Sequence, residues 1–399
     1  MLSRQPLSIY IHIPFCRTRC YYCDFNTYAG IGHLIDPYVV SLLKEIEIVS
    51  NRIGNENFVK TIYFGGGTPS IFQAEKIGAI IQQIKLDFQV LNDMEISMEM
   101  NPVGLTLDYL RRIHETGVNR ISLGMQSASL EELAMLGRKH SLMDVAESVE
   151  LARQAEYENF NLDIIFGLPG QTIGSFIETL ESALQFNPPH LSLYALTVEE
   201  GTPLAILIDK GSLPKPDEDA AGDMYELAMN RLDEAGYIQY EISNWALSQK
   251  NQCRHNIQYW KNHDYLGFGA GAHSHYGKSR WDNTAEVEKY IGQINKNAEQ
   301  SDWISPAAAN QITNSRMDEI GETMMMGLRL TEEGVSASEF TVRFGMTLDK
   351  IFKKEIARLL NQNLIEWTDM KDGPHLRLTR RGRMLGNQVF MQFLKDKYD

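Results

Sequence analysis

Cysteine is scarce in this chain: four occur in 399 residues, and three of them lie between positions 16 and 23. So uneven a distribution argues against a disulfide scaffold and suits a reducing compartment with a metal or cluster site. No apolar run approaches the roughly 20 residues needed to span a bilayer. The opening Met-Leu-Ser-Arg-Gln-Pro leads straight into an apolar strand without a signal-peptide pattern, so the expected location is cytoplasmic. Positive charge is also in deficit. Lys and Arg total 38 against 52 Asp and Glu, a net charge of −14, which argues against a general affinity for nucleic acid or anionic membrane. The basic run from Lys371 through Arg377, Arg380, Arg381, Arg383, Lys395 and Lys397 reads as a solvated helix face. Repeats and low-complexity tracts are missing as well. What remains is an ordinary globular composition, 43% apolar and 23% charged, long enough for one large and one smaller domain.

The cysteines that are present form Cys16-x3-Cys20-x2-Cys23 on one short segment. Three thiolates leave a tetrahedral or cluster site one ligand short, and an open position suits a catalytic or cofactor-activating centre. A structural zinc completed by His12 or Cys253 is the plain alternative. Zinc motifs usually come as two paired ligand sets, however, and no second pair occurs here. Soft thiolates favour a 4Fe-4S cluster whose free iron can chelate the amino and carboxylate groups of S-adenosylmethionine. Tyr22, between the last two cysteines, can shield such a cluster.

Short apolar runs alternate with helical periodicity along the first half. Strands are expected at Leu7–Ile13, Thr61–Phe64, Met94–Met100, Arg120–Met125, Leu162–Phe166 and His190–Leu196. Between them, one helix is expected to start with Asp36 as N-cap and Pro37 at the first helical position. A second carries Ile77, Ile80, Ile81 and Ile84 on one face, and a third runs from Leu107 through Ile113 to a stop at Gly117. Six strand–helix repeats predict an α/β fold, a parallel sheet curved into a partial, open TIM-like barrel. Chemistry in such barrels sits at the C-terminal strand ends. The cysteine loop, Gly65-Gly66-Gly67-Thr68, Glu99-Met-Asn101-Pro102, Gln126 and Asp163 all fall there. The expected organisation is a barrel over 1–215, an extension over 216–300 and a small helical, winged-helix-like domain over 301–399. In the extension, Pro214-Lys-Pro216 leads into a helix ending at Gly236, then a strand at Tyr237–Ile242, then an aromatic and histidine-rich stretch from Asn251 to Tyr276. Helices followed by Leu364–Trp367, a turn at Asp372-Gly373 and Leu376–Leu378 give the last domain its winged-helix look. Gly267-Phe-Gly269-Ala-Gly271 needs no more than a tight turn.

The cysteine motif followed by Gly-Gly-Gly-Thr-Pro-Ser resembles the radical S-adenosylmethionine superfamily. More narrowly, Tyr10-Ile-His12-Ile-Pro14-Phe-Cys16, Gly65–Ser70, Glu99–Pro102, Leu123–Ser127, Leu136-Gly-Arg138 and Asp163–Gly170 resemble oxygen-independent coproporphyrinogen oxidase and its relatives. The resemblance covers nearly the whole chain. Two features separate branches. The oxidase carries a further cysteine two residues after the third, where this chain has Phe25. In addition, His255-Asn256-Ile-Gln-Tyr259-Trp260 matches the H-N-x-x-Y-W motif of the heme-chaperone branch.

The resemblance implies 4Fe-4S ligation by Cys16, Cys20 and Cys23. It implies S-adenosylmethionine contacts at Tyr10, Tyr22, Gly66, Gly67, Thr68, Glu99, Gln126, Arg138 and Asp163. Independently of it, glycines admit close backbone approach, the two acids can accept ammonium or hydroxyl protons, and Arg138 can pair with a carboxylate. The structural alternative is that Glu99 and Asp163 pair with Arg111, Arg120 or Arg138. His255 is the candidate heme ligand, since imidazole is a standard axial ligand. Cys253 can serve through its thiolate, and His263, His273 and His275 lie nearby. A second reading has His255 and Asn256 orienting the substrate end of the barrel. Met324, Met325 and Met326 read as helix packing. The expected function is a heme chaperone that passes heme to a membrane-associated acceptor protein, with no nucleic-acid partner and with room for a homodimer. The alternative is the radical oxidase.

Overall fold

The computed structural model describes residues 6–54, 57–297 and 303–394. The chain divides into two compact units, Met1–Met224 with Asp264–Ile312, and Tyr225–His263 with Thr313–Asp399. The first unit is built on β1 (Pro6–Ile13), β2 (Phe58–Gly66), β3 (Gln89–Met100), β4 (Arg120–Gln126), β5 (Phe160–Phe166) and β6 (His190–Ala195). These six pair in sequence order, every neighbour parallel, as the alternation requires. Each strand buries a near-continuous apolar run, with Ile9, Ile11, Ile62, Phe64, Met98, Leu123, Leu162 and Leu191 almost wholly enclosed. The sheet is open rather than closed. Beyond β1 it continues through β7 (Tyr265–Phe268), β8 (His273–Tyr276), β9 (Ser279–Asn283) and β10 (Ala308–Thr313). β7 pairs parallel with β1, whereas β8 pairs antiparallel with β7 and β9 antiparallel with β8. β7 and β8 fall within the aromatic and histidine-rich stretch, whereas β9 and β10 follow it, β10 as a strand at the start of the region expected to be helical.

The helices follow the apolar spacing. Ile35–Ile53 buries Leu42, Ile46 and Val49, and Ala74–Asp87 buries Ile77, Ile80, Ile81 and Ile84. The helix Leu107–Glu115 is capped by the Thr106 side chain and released at Gly117, whose φ of +105° suits a residue without Cβ. One boundary differs from expectation. Asp36 is not the N-cap: a short 3-10 turn at Gly32–Leu34 feeds the helix from Ile35, so Asp36 and Pro37 sit inside the first turn. Both tolerate that position, because first-turn N–H groups lack helical partners and an acid there opposes the helix dipole.

Inside the first unit Glu45 is fully buried on the Ile35–Ile53 helix. It accepts hydrogen bonds from Gly269 N (2.9 Å), Asn283 Nδ2 (2.7 Å), Tyr290 Oη (2.7 Å) and Ser305 Oγ (2.6 Å). One carboxylate thereby ties a helix of the repeats to the extension. The turn after β7 reaches it because Gly269 has φ +102°, and a side chain there would run into the Tyr38 hydroxyl and the His12 carbonyl.

The second unit has its own core, centred on Ile320, Met324, Leu328, Phe340, Phe344, Leu359, Leu376 and Phe390. Met324 is buried and Met325 packs against the cluster, as helix packing requires. Its three-stranded sheet sets Gly373–Leu378 between Val335–Ser336 and Ile365–Met370, which gives the winged-helix look. The basic run is less solvated than its composition suggests. Arg377 pairs with Glu366 at 2.9 Å and Arg383 donates to Gln239 at 3.0 Å, while Lys395 and Lys397 lie outside the described residues. No described helix is long and apolar enough to cross a membrane.

Candidate functional site

The polar ends of β2 to β5 and the cysteine loop after β1 meet at one cavity of about 500 Å³ in the first unit. Cys16, Cys20, Cys23, Tyr22, Gly66, Gly67, Thr68, Glu99, Gln126, Arg138 and Asp163 all line it. Two of the proposed site residues do not. Tyr10 lies behind the wall, its ring stacked on Tyr63 at 6.3 Å and its hydroxyl 3.0 Å from His12 Nδ1. His255 belongs to the second unit.

Backbone zippering fixes the loops. Gly67 N donates to Ile13 O (2.8 Å) and Thr68 N to Phe15 O (2.9 Å), binding the glycine segment to the start of the cysteine loop. A Cβ on Gly67 would approach those two carbonyls within 2.8 Å and Cys16 Sγ at 3.0 Å, so only glycine fits. On its other side the cysteine loop is strapped by Tyr21 N to Leu136 O and Leu204 N to Tyr21 O. Thr68 Oγ1 donates to Cys16 Sγ at 3.6 Å, and the Cys23 thiol lies 3.8 Å from Thr27 Oγ1. Burial pushes the Cys16 and Cys20 thiols up, and the neighbouring Arg138 guanidinium opposes this at both.

The two acids behave as cavity-wall carboxylates rather than halves of ion pairs. Glu99 accepts from Tyr63 Oη (2.9 Å) and Gly66 N (3.2 Å). Burial pushes it up to about 7, with the charge of Asp163 adding to the shift and the Tyr63 bond opposing it. Asp163 accepts from Ser122 Oγ (2.9 Å) and Asn161 Nδ2 (2.7 Å), and burial raises it as well. Among the described residues neither forms an ion pair with Arg111, Arg120 or Arg138. Arg138 donates to Asn101 Oδ1, and its buried Nε has no hydrogen-bond partner. Burial opposes its charge, but Tyr22, Cys20 and Asp163 outweigh that and hold it cationic. Gln126 carries a φ of +63°, uncommon for a residue with a side chain, and Gly124 beside it leaves room for Arg138 and Gln126. Tyr63 and Ser122 were not legible as site residues. Both alternate with apolar neighbours along their strands, and that period was the only available signal.

The residues fit a cluster and its ligand. Three thiols share one cavity, backbone approaches where a Cβ cannot, and two carboxylates line it together with a guanidinium whose Nε has no hydrogen-bond partner. Among the described residues no three His, Cys, Asp or Glu side chains converge closely enough to hold a single metal ion. His12, one alternative fourth ligand for zinc, has both ring nitrogens engaged, by Tyr10 Oη and by Asn26 O at 2.9 Å.

In the second unit His255 is buried, with Nε2 2.9 Å from Tyr259 Oη on the same short helix, Arg254–Trp260. Cys253 caps that helix and is buried too. Trp260 lies half-buried under the Arg329 guanidinium, 5.2 Å from the ring centroid, and His263 Nδ1 meets Gln258 Oε1 at 3.0 Å. His273 and His275 fall in the first unit, on β8.

An open parallel sheet with three cysteines on the loop after its first strand defines the class: residues 10–183 match the Radical SAM superfamily, and 314–385 match the HemN C-terminal domain. The E. coli coproporphyrinogen III oxidase HemN, a radical SAM enzyme, superposes with TM-score 0.83 at 25% identity, over 99% of this chain and 91% of that one. Within that class the chain belongs to the heme chaperone HemW family. It is 37% identical to the heme chaperone HemW of Bacillus subtilis over 97% of this chain and 99% of that protein. The figures for the Lactococcus lactis HemW are 36% and 99% of each chain, and for the Haemophilus influenzae HemW 32% and 100% of each. Membership of the superfamily implies a 4Fe-4S cluster and S-adenosylmethionine; the name HemW implies heme.

Proposed function

We propose that this protein takes up heme and hands it to an acceptor protein at a membrane, with a cluster and S-adenosylmethionine in the cavity of the first unit. Cys16, Cys20 and Cys23 hold the cluster, and Gly66 to Thr68 present backbone to the ligand's amino-acid end. Glu99 and Asp163 accept its ammonium or hydroxyl protons, Arg138 pairs with its carboxylate, and Gln126 and Tyr22 close the wall. When bound, the cluster supplies an open iron for chelation and one-electron chemistry. On the heme side His255 is the candidate axial ligand, and ligation requires its imidazole to exchange the Tyr259 hydroxyl for iron.

Phe25 carries the choice between chaperone and oxidase. It stands where the oxidase has its further cysteine, lines the cavity and is 63% exposed. The oxidase remains the second reading because the likeness to HemN extends over 99% of the chain. The test is anaerobic: reconstitute the cluster, titrate heme into wild type and His255→Ala, and assay coproporphyrinogen turnover with S-adenosylmethionine and a reductant. A stoichiometric Soret change without decarboxylation supports the chaperone, and its loss in the variant assigns the ligand. Turnover without saturable heme binding overturns the proposal in favour of the oxidase.

A further inference from the structure

Behind the cysteine loop lies a second cavity, of about 440 Å³, wholly within the first unit. It shares Thr18, Cys20, Thr68, Asn101 and Arg138 with the first, and a chain of hydrogen bonds runs through the partition between the two. Arg138 donates to Asn101 Oδ1, Asn101 Nδ2 reaches Thr68 Oγ1 at 3.5 Å, and Thr68 reaches Cys16 Sγ. Arg138 thus gives one N–H to the partition.

Two further cations remain at this cavity. Arg17 on the cysteine loop and Lys139 after the Leu130–Met135 helix both line it and are exposed, and among the described residues neither has an ion-pair or hydrogen-bond partner. No Asp or Glu lines the cavity, in a chain whose net charge is −14. The rest of its lining mixes polar side chains, among them Ser70, Gln73, Thr106 and Tyr109, with the apolar Ile71, Leu105 and Val103, the last 46% exposed. Two unpaired cations beside apolar side chains suit an apolar body carrying two carboxylates.

We propose that this cavity seats the propionate-bearing edge of heme, with Arg17 and Lys139 as the carboxylate partners. The inference rests on the heme-chaperone reading and adds a site to it, separate from His255. A cavity this size takes one edge of a porphyrin and leaves the other edge outside, which suits a carrier that must release its cargo. It also sets that edge against the wall containing Cys20, so heme occupancy and the cluster loop share a surface.

The experiment titrates cluster-reconstituted full-length protein with heme and with heme dimethyl ester, following the Soret band. Wild type is compared with Arg17→Glu/Lys139→Glu and with the neutral Arg17→Gln/Lys139→Gln pair, all matched for iron content and melting temperature. The proposal expects heme affinity to fall roughly tenfold or more on charge reversal and less on neutralisation, since like charges set in contact are strongly unfavourable. Wild type should discriminate against the ester by a similar factor, a comparison that needs no variant, and the reversed pair should discriminate little. Equal affinity of wild type for heme and ester, with unchanged heme binding in both variants, overturns the site while leaving the chaperone reading intact. Unchanged heme binding with slower cluster reduction by an acidic redox protein also overturns it, and assigns the cations to protein docking. If wild type binds no heme saturably, it is the chaperone reading that fails.

Discussion

Two desolvated carboxylates of the first unit, Glu99 at the end of β3 and Glu45 on the Ile35–Ile53 helix, obey different rules. Glu45 is sealed on every side and receives four donors, from a backbone amide, an amide side chain and two hydroxyls. Glu99 receives two and faces a cavity that also contains Asp163 and the three cysteines. Burial raises the pKa of both. Desolvation alone therefore does not distinguish a structural acid from a functional one. What does is whether the protein itself supplies the remaining partners, or leaves that to a ligand.

The largest test of this contrast lies at the cavity's centre. Cys20→Ser should abolish the cluster, because two remaining thiolates cannot retain it. Iron and acid-labile sulfide after anaerobic reconstitution should fall to background, while the far-ultraviolet circular dichroism stays unchanged. Full iron loading of the variant would remove Cys20 from the ligand set.

Next in size is Glu45→Ala. It strands several buried donors, each costing about 1–3 kcal/mol when unsatisfied, so a loss of about 3–5 kcal/mol in urea unfolding is expected after partial relaxation. S-adenosylmethionine affinity in the folded fraction should be unaffected. A loss below 1 kcal/mol would show that the network is not what joins helix and extension.

Glu99→Gln reverses the pattern. Affinity for S-adenosylmethionine should fall roughly tenfold, as expected for a lost charge-assisted contact, measured calorimetrically on the cluster-loaded protein. Stability carries the pH signature. The folded pKa of about 7 lies above the ordinary carboxylate value of 4.5. The protonated native form thus contributes stability that is fully present below 4.5 and lost as pH rises through 7. Between pH 5 and 8 wild type should lose about 2 kcal/mol that the glutamine variant does not. An identical pH dependence in both would show that another group titrates.

Much of the contrast could be read in advance, and the unread part has physical causes. β1 to β6 announce themselves because strands covered on both faces become continuous apolar runs. The thiols, Glu99 and Asp163 stand out as polar groups at the ends of those runs. Glu45 does not, since an acid within an amphipathic helix reads as a surface residue until the extension covers it. The extension is itself hidden: His273–Tyr276 and Ser279–Asn283 mix rings, charges and amides with no simple alternation. Tyr63 is concealed for the opposite reason, as one aromatic residue in an apolar strand. The cavity's second neighbour, with Arg17 and Lys139, joins loops more than a hundred positions apart, and no local pattern reports such a meeting.

The smallest effect isolates the boundary between strain and function at Gln126. Its left-handed backbone costs a residue with a side chain about 1 kcal/mol, which glycine would recover. Glycine also raises the entropy of the unfolded chain by about 0.5–1 kcal/mol, which offsets the gain. Gln126→Gly should therefore leave stability nearly unchanged, whereas Gln126→Ala keeps the strain without the packing and should be the less stable of the two. Both remove the side chain from the cavity wall and should weaken S-adenosylmethionine binding equally, by a few fold. If the glycine variant alone retains wild-type affinity, the backbone turn rather than the amide is what the ligand requires, and Gln126 leaves the set of contacts.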